Sequence, residues 1–336
     1  MTTGPVHVTV FGKTDLGRTR DHNEDTFLVA DLTTGNASLQ PEVREHEIGP
    51  RGSLFMVADG MGGAAAGELA SAMAADVILT HMREKWAPDP DQSAQRFAYR
   101  LKEAVEQANV KIHQHSREHP EVRGMGTTVT AAGIIGPDLY LAQVGDSRAY
   151  LIRNGQGIQL TKDQSLMQRL VEAGELTEEE AEQSERKNII LQALGPEPRI
   201  KVDLTYQPLS RGDTIVLCSD GLSGQVKKDE ITALVREETD LVSLCTRLID
   251  MANSRGGPDN ITTVVARFDG EGLSDPGSAL APGYQVYPLN EGEATTEPVP
   301  IYTGSPAPVS RKQQKRTLII VLGLLALAAA ALLWLT

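Results

Sequence analysis

The sequence predicts an α+β fold in which antiparallel sheets carry helices on their outer faces. Three observations predict it. Apolar runs of strand length follow one another in groups, the long helical stretches come in pairs, and Asn154-Gly155 between two such runs is a strong hairpin signal. Hairpin-linked strands interrupted by helix pairs argue against a wound βαβ sheet.

Taken in order, residues 6–11 alternate as a strand and Thr26 to Ala30 form another. Residues 33–52 are polar, with Gly, Pro and mixed charge, and read as an exposed loop. Ala, Glu and Leu at helical spacing run from Gly63 to about Trp86. Pro88-Asp-Pro-Asp ends that pattern, and Ser93 can cap a second helix to about Glu118. Strands are expected at 127–135, 138–144, 148–153 and 157–161, then a helix from Thr161 to Ala173. Residues 174–195 are charged and irregular, with a short surface helix near Glu178. Strands follow at 199–206 and 214–218, helices near 227–237 and 240–254, and a last strand from Ile261 to Phe268.

Hydrophobic residues at 40% and charged residues at 23% describe an ordinary globular chain. The net charge is −13, and the last acid precedes a basic cluster, so the body of the chain is more acidic still. That excludes a nucleic-acid binder, which needs a basic footprint, and disfavours a nuclease among the metal hydrolases. The two cysteines, Cys218 and Cys245, lie in apolar patterns and read as small buried hydrophobes. His113, His115 and His119 do not share one helix face, so a solvated helix end is preferred to a metal site.

The chemistry is concentrated where apolar runs end on a carboxylate beside glycine. Leu54-Phe-Met-Val-Ala ends on Asp59-Gly60, Thr214-Ile-Val-Leu-Cys-Ser on Asp220-Gly221, and Leu139-Tyr-Leu-Ala-Gln-Val on Gly145-Asp146. Asp259 immediately precedes the last strand. One Asp-Gly pair is ordinarily a turn. Four such carboxylates supply enough oxygen for two hard divalent ions, Mg²⁺ or Mn²⁺, with water completing each shell. Such a pair generates hydroxide near neutral pH and polarises a phosphoryl group. Arg20 is the candidate for holding the phosphate through paired hydrogen bonds.

Six stretches then carry a resemblance: Arg20-Asp-His-Asn23-Glu24-Asp25, Val57-Ala-Asp59-Gly60-Met61-Gly62-Gly63, Gly124-Met-Gly126-Thr127-Thr128, Gly145-Asp146-Ser147-Arg148, Cys218-Ser-Asp220-Gly221-Leu222 and Pro258-Asp259-Asn260-Ile-Thr. In this order they resemble bacterial members of the metal-dependent protein phosphatase (PPM) family, which hydrolyse phosphoserine and phosphothreonine. The resemblance covers residues 6 to about 268 and implies an α–β–β–α sandwich within a domain 1–269. It further implies that Asp59 bridges the two ions and that the backbone carbonyl of Gly60 ligates one. Asp220 and Asp259 would complete the second shell, Glu24 and Asp25 would act through metal-bound water, and Asp146 with Asp220 would hold a third, weaker ion. Residues 174–195 correspond to the flap. Met61, Ala64 and Gln164 stand where many relatives have histidine. Methionine cannot donate a proton, so the general acid is left open between a water on the third ion and His22. The implied partners are phosphorylated Ser/Thr proteins and a eukaryotic-like Ser/Thr kinase whose work is reversed. The rival is a pseudophosphatase that binds phosphopeptides; it would need a lost carboxylate, and all the expected acids are present.

Residues 270–310 are rich in Gly, Pro, Ser, Ala and Glu and read as a flexible linker. Arg311, Lys312, Lys315 and Arg316 form a basic cluster before Thr317 to Leu335, a run without charge that is long enough to cross a bilayer. Trp334 stands where an interfacial aromatic belongs. Positive residues stay inside, so the expectation is a single-pass C-terminal anchor in the cell membrane, with the catalytic domain cytoplasmic.

Overall fold

The computed structural model describes residues 4–184, 186, 188–277 and 281–289. Two antiparallel sheets pack face to face with helices outside. The first sheet has the order β10-β9-β12-β13-β1-β4, from β1 (His7–Asp15), β4 (Arg44–Glu47), β9 (Arg148–Arg153), β10 (Gln156–Gln159), β12 (Thr214–Cys218) and β13 (Ile261–Asp269). The second has the order β11-β8-β7-β5-β2-β3, from β2 (Asp25–Asp31), β3 (Ala37–Ser38), β5 (Ser53–Met61), β7 (Val129–Ile135), β8 (Asp138–Val144) and β11 (Asp203–Pro208). A two-residue β6 (Gly126–Thr127) pairs with the end of β5.

Side chains alternate across a strand, and that alternation builds three apolar layers. On β5, Leu54, Met56 and Ala58 face α1 (Ala64–His81) and α2 (Ala94–Glu118), while Phe55 and Val57 point between the sheets. On β12, Ile215 and Leu217 point between the sheets. Val216 and Cys218 face α6 (Lys228–Glu237) and α7 (Leu241–Ser254). Both cysteines are buried and free. The four layers are those of the implied α–β–β–α sandwich.

Local signals act as their chemistry dictates. The Ser93 side chain accepts from the Arg96 N–H at the start of α2. Asn154 and Gly155 both have positive φ, the geometry of a type I′ hairpin turn. The helix after Gly63 ends in a π-helical turn, Met82–Trp86, whose Trp86 is fully buried.

Three expectations are corrected. Residues 33–52 are not only loop: Arg44–Glu47 pairs with β1 and Ala37–Ser38 with β2, each closing one sheet edge. The helix expected over 161–173 is shorter, α3 (Leu166–Glu172), capped by Ser165. Residues 161–164 instead stay extended because Gln164 exchanges hydrogen bonds with Gly145. The linker does not begin at 270, since Leu273 is buried between the sheets and Tyr287 packs on Tyr140 and Tyr206. The compact unit runs to Leu289.

Among the described residues no helix is long and apolar enough to cross a membrane. The basic cluster 311–316 and the apolar run 317–335 lie outside the described residues.

Candidate active site

The same alternation that sorts the core carries acids to one open end of the inter-sheet layer. Asp59 has the parity of Phe55 and Val57, and Asp25 that of Phe27 and Val29. The register sets Asp25 directly opposite Asp59. From the other sheet, Ser219 follows Leu217, and Thr262 precedes Val264 with matching parity. Asp220 opens a helical turn, α5 (Asp220–Ser223), so this Asp-Gly pair is not a simple β-turn.

Electrostatics show how close the acids come. Burial pushes the Asp59 carboxyl well above its usual range, and Asp25, Asp220, Asp146 and Asp259 push it further. Asp25 is pushed up to about 7, first by burial, although hydrogen bonds from Thr262 and Ser219 oppose it. Asp146 is raised to about 8 by burial and the field of Asp220. Asp220 and Glu24 are raised for the same leading reason, and Asp220 comes within hydrogen-bonding reach of Asp59. The Asp25, Asp146 and Asp220 Oδ1 atoms are buried without a hydrogen-bond partner. A buried carboxylate oxygen with no donor is costly.

The backbone around Asp59 is fixed from β6. Thr127 Oγ1 and the Thr128 N–H donate to the Asp59 carbonyl, and the Asp59 N–H donates to Thr128 Oγ1. A Cβ on Gly60 would run into the Gly67 carbonyl oxygen. Only glycine lets the chain lie there.

Arg20 stands at the rim, about half exposed, with Nη2 donating to Asp259 Oδ2 at 2.7 Å. That bond raises its already high pKa. His22 is exposed. A cleft of about 390 Å³ opens beside the acids, walled by Asp146, Asp220 and Asp259 on one side and by α3 and α4 (Glu178–Gln183) on the other. Arg148 lines it, locked to Asp163 at 2.7 Å. The flap segment returns along the site, where Leu194 and Thr127 exchange backbone hydrogen bonds.

Asp25, Asp146, Asp220 and Asp259 thus lie within the field of Asp59, and Arg20 and Glu24 lie near Asp259. Among the described residues no three Asp, Glu, His or Cys side chains stand close enough to grip one ion as they are. Asp25 is turned toward Ser219 and Asp259 toward Arg20. The donor set nonetheless fits hard cations: all oxygen, several carboxylates, orphaned buried oxygens and a glycine where the backbone must come close. His113 and His115 of α2 and His119 just past its end stay apart from this, with His115 stacked on His119 and His113 bonded to the Gly195 carbonyl.

Sequence reasoning missed the residues that position the acids. Ser219 Oγ donates to Asp25 Oδ2 at 2.8 Å. Asn260 donates from its side-chain amide to the Leu16 and His22 carbonyls and accepts from the Glu24 N–H, so it ties down the loop bearing Arg20 and Glu24. Asn260 follows Asp259 in the Pro258-Asp259-Asn260-Ile-Thr motif, the one local signal for it; its bonds join distant positions.

An α–β–β–α sandwich with buried acids at one open end defines a class, that of hydrolases built to hold hard cations. The comparisons narrow it. A family model described as protein phosphatase 2C matches residues 38–266. The serine/threonine phosphatase stp of Listeria monocytogenes is 37% identical over 257 residues, 76% of this chain and 94% of that protein. The structure of the S. agalactiae serine/threonine phosphatase superposes with a TM-score of 0.67 at 33% identity, covering 77% of this chain and 98% of that one. The catalytic domain of the serine/threonine protein phosphatase PstP, solved in complex with two manganese ions, superposes with a TM-score of 0.64 at 33% identity over 79% and 99%. The chain belongs to the protein phosphatase 2C family.

Proposed function

We propose that this chain hydrolyses phosphoserine and phosphothreonine in proteins, with Mn²⁺ or Mg²⁺ as cofactor. One observation carries the reading: Asp59, Asp25 and Asp220 are raised by burial and by neighbouring carboxylates, beside a cleft that Arg20, Asp146, Asp220 and Asp259 line. Family membership and the manganese-bound relative support it. Asp59, Asp220, Asp259 and the Gly60 carbonyl are the proposed ligands, with Glu24 and Asp25 acting through water and Asp146 at a third site. Two divalent ions supply an acidified water and polarise the phosphoryl oxygens. The protein's own part is positioning. Thr127 and Thr128 fix the Asp59 backbone, Ser219 holds Asp25, and Arg20 can turn from Asp259 to the phosphate as a planar pair of donors. The presence of every acid disfavours the pseudophosphatase reading.

The test is release of phosphate from a phosphothreonine peptide. It should require Mn²⁺ or Mg²⁺ and vanish in Asp59→Asn; release at the wild-type rate by that variant would refute the site.

We further propose that residues 317–335 anchor the chain in the cell membrane, with the phosphatase domain on the cytoplasmic side beside a Ser/Thr kinase. The uncharged run and the basic cluster before it support this. Tethering raises local concentration near membrane substrates without any new contact. The full chain should sediment with membranes after a high-salt wash, and a chain ending at residue 310 should not.

A further inference from the structure

Residues 281–289 lie beyond the stretch matched by the family model, which ends at 266. They run beside β11 as a short extra edge. The Tyr206 N–H donates to the Gln285 carbonyl and the Tyr287 N–H to the Leu204 carbonyl, each at 2.9 Å, with Val286 opposite Thr205. The Gly283 N–H donates to Gln207 Oε1 at 3.1 Å. The Tyr287 ring meets Tyr140 edge-on at 5.0 Å and Tyr206 at 5.8 Å. Aromatic pairs at such distances add to the burial they accompany.

One residue of this strap reaches toward the cleft. Lys162 Nζ sits 4.8 Å from the centre of the Tyr284 ring, within range for a cation over an aromatic face. Backbone bonds from Gln285 and Gly283 on either side hold Tyr284 against the β11 edge. Lys162 also donates to Glu172 Oε1, at the end of α3, at 3.1 Å. Gln168 reaches the same oxygen at 3.5 Å. Gln168, Met167 and Val171 line the cleft beside the acids. The contacts thus run Tyr284, Lys162, Glu172, α3, cleft wall.

We infer that residues 281–289 are a clamp on the cleft wall: Tyr284, through Lys162 and Glu172, sets the position of α3 and with it the affinity for peptide around the phosphorylated residue. The segment leading to the C-terminal tail is then a specificity-determining part of the enzyme, and Tyr284 and Lys162 are positioning residues that touch no reacting atom. The exposed Lys162–Glu172 pair alone would contribute little. Seated beneath a ring held by the β11 edge, Lys162 has one preferred position rather than many. The effect on peptide affinity rests on the phosphatase reading above; the effect on α3 does not.

The experiment uses the full chain with Tyr284→Ala, Tyr284→Phe and Lys162→Met, each checked for an unchanged far-ultraviolet circular dichroism spectrum. Amide hydrogen exchange over residues 166–172 should quicken in Tyr284→Ala and Lys162→Met and stay at the wild-type rate in Tyr284→Phe, which keeps the ring. KM for a phosphothreonine peptide should rise about two- to fivefold in the first two, the size of one exposed cation–ring contact. Turnover of p-nitrophenyl phosphate, which has no peptide to grip α3, should not change. Unaltered exchange of α3 in both variants overturns the inference, as does Tyr284→Phe behaving like Tyr284→Ala. Were the wild type to release no phosphate from any peptide, the phosphatase reading would fail while the exchange comparison still decided the clamp.

Discussion

Asp25 and Asp59 stand directly opposite each other across β2 and β5, on the face that points between the sheets. Like charges in that relationship destabilise a sheet, and burial makes it worse. Ordinary packing would place two apolar residues there, as Phe27 and Val57 are placed one step deeper. The pair is strain retained at a functional site, and it yields a stability prediction as well as a catalytic one.

Asp59→Asn should abolish metal-dependent phosphate release and at the same time stabilise the metal-free protein. At alkaline pH, where the raised Asp25 and Asp59 carboxyls ionise, removing one of the two opposed charges should lift the metal-free Tm by on the order of 2 °C or more. Calorimetry in chelator measures this. A lower Tm in the variant would mean that Asp59 stabilises the fold, and the argument from opposed carboxylates would be lost.

The pH dependence follows from the same groups. Asp25 is raised to about 7 and Asp146 to about 8, so the folded state binds their protons more tightly than the unfolded chain does. Their contribution is therefore full below the ordinary carboxylate range and is lost as pH rises through 7 to 8. Without metal the protein should lose stability between about pH 5 and pH 8. Cations compete with those protons, so the rise in Tm on adding Mn²⁺ should be larger at pH 8 than at pH 6. Thermal shifts at the two pH values decide it; an equal shift at both would contradict the raised carboxyls.

Ser219 tests the layer behind the acids. Its hydroxyl favours the charged form of Asp25. Ser219→Ala should weaken Mn²⁺ binding about 10- to 100-fold, the usual cost of losing a partner behind a metal ligand. At saturating Mn²⁺ most of the activity should return. Titration calorimetry with Mn²⁺ gives the affinity directly, and an unchanged value would assign Ser219 to packing alone.

How far a sequence reveals such a site depends on whether the signal is local. Asp59 and Asp220 could be found because an apolar run ending on an acid is visible within eight residues. The partners of those acids could not. Ser219 meets Asp25 across 194 positions, and Asn260 meets Glu24 across 236. The fold divides similarly. The helices and inner strands follow from periodicity, whereas Arg44-Glu-His-Glu is a polar edge strand with no apolar face to betray it. Leu273 and Tyr287 sit among Gly, Pro and Ser, so composition hid residues that the core and the β11 edge hold. The departures at Met61 and Gln164 divide too: Gln164 supports the turn before Asp146 by bonding Gly145.

Arg20 and Asp259 make the last prediction. Their 2.7 Å bond joins a proposed phosphate-holding group to a proposed metal ligand. If Arg20 turns from Asp259 to the substrate, its loss should affect phosphate affinity and leave the acids free. Arg20→Ala should raise KM for a phosphothreonine peptide about 10- to 100-fold, as expected for charge-assisted hydrogen bonds. Arg20→Lys should recover only part of this, because an ammonium cannot present two parallel donors. Affinity for Mn²⁺ should hold or increase in both variants, since Asp259 no longer has a guanidinium competing for it. Steady-state kinetics at saturating Mn²⁺, paired with Mn²⁺ titration, separate the two roles. A fall in Mn²⁺ affinity with KM unchanged would make Arg20 a support for Asp259 rather than a holder of phosphate.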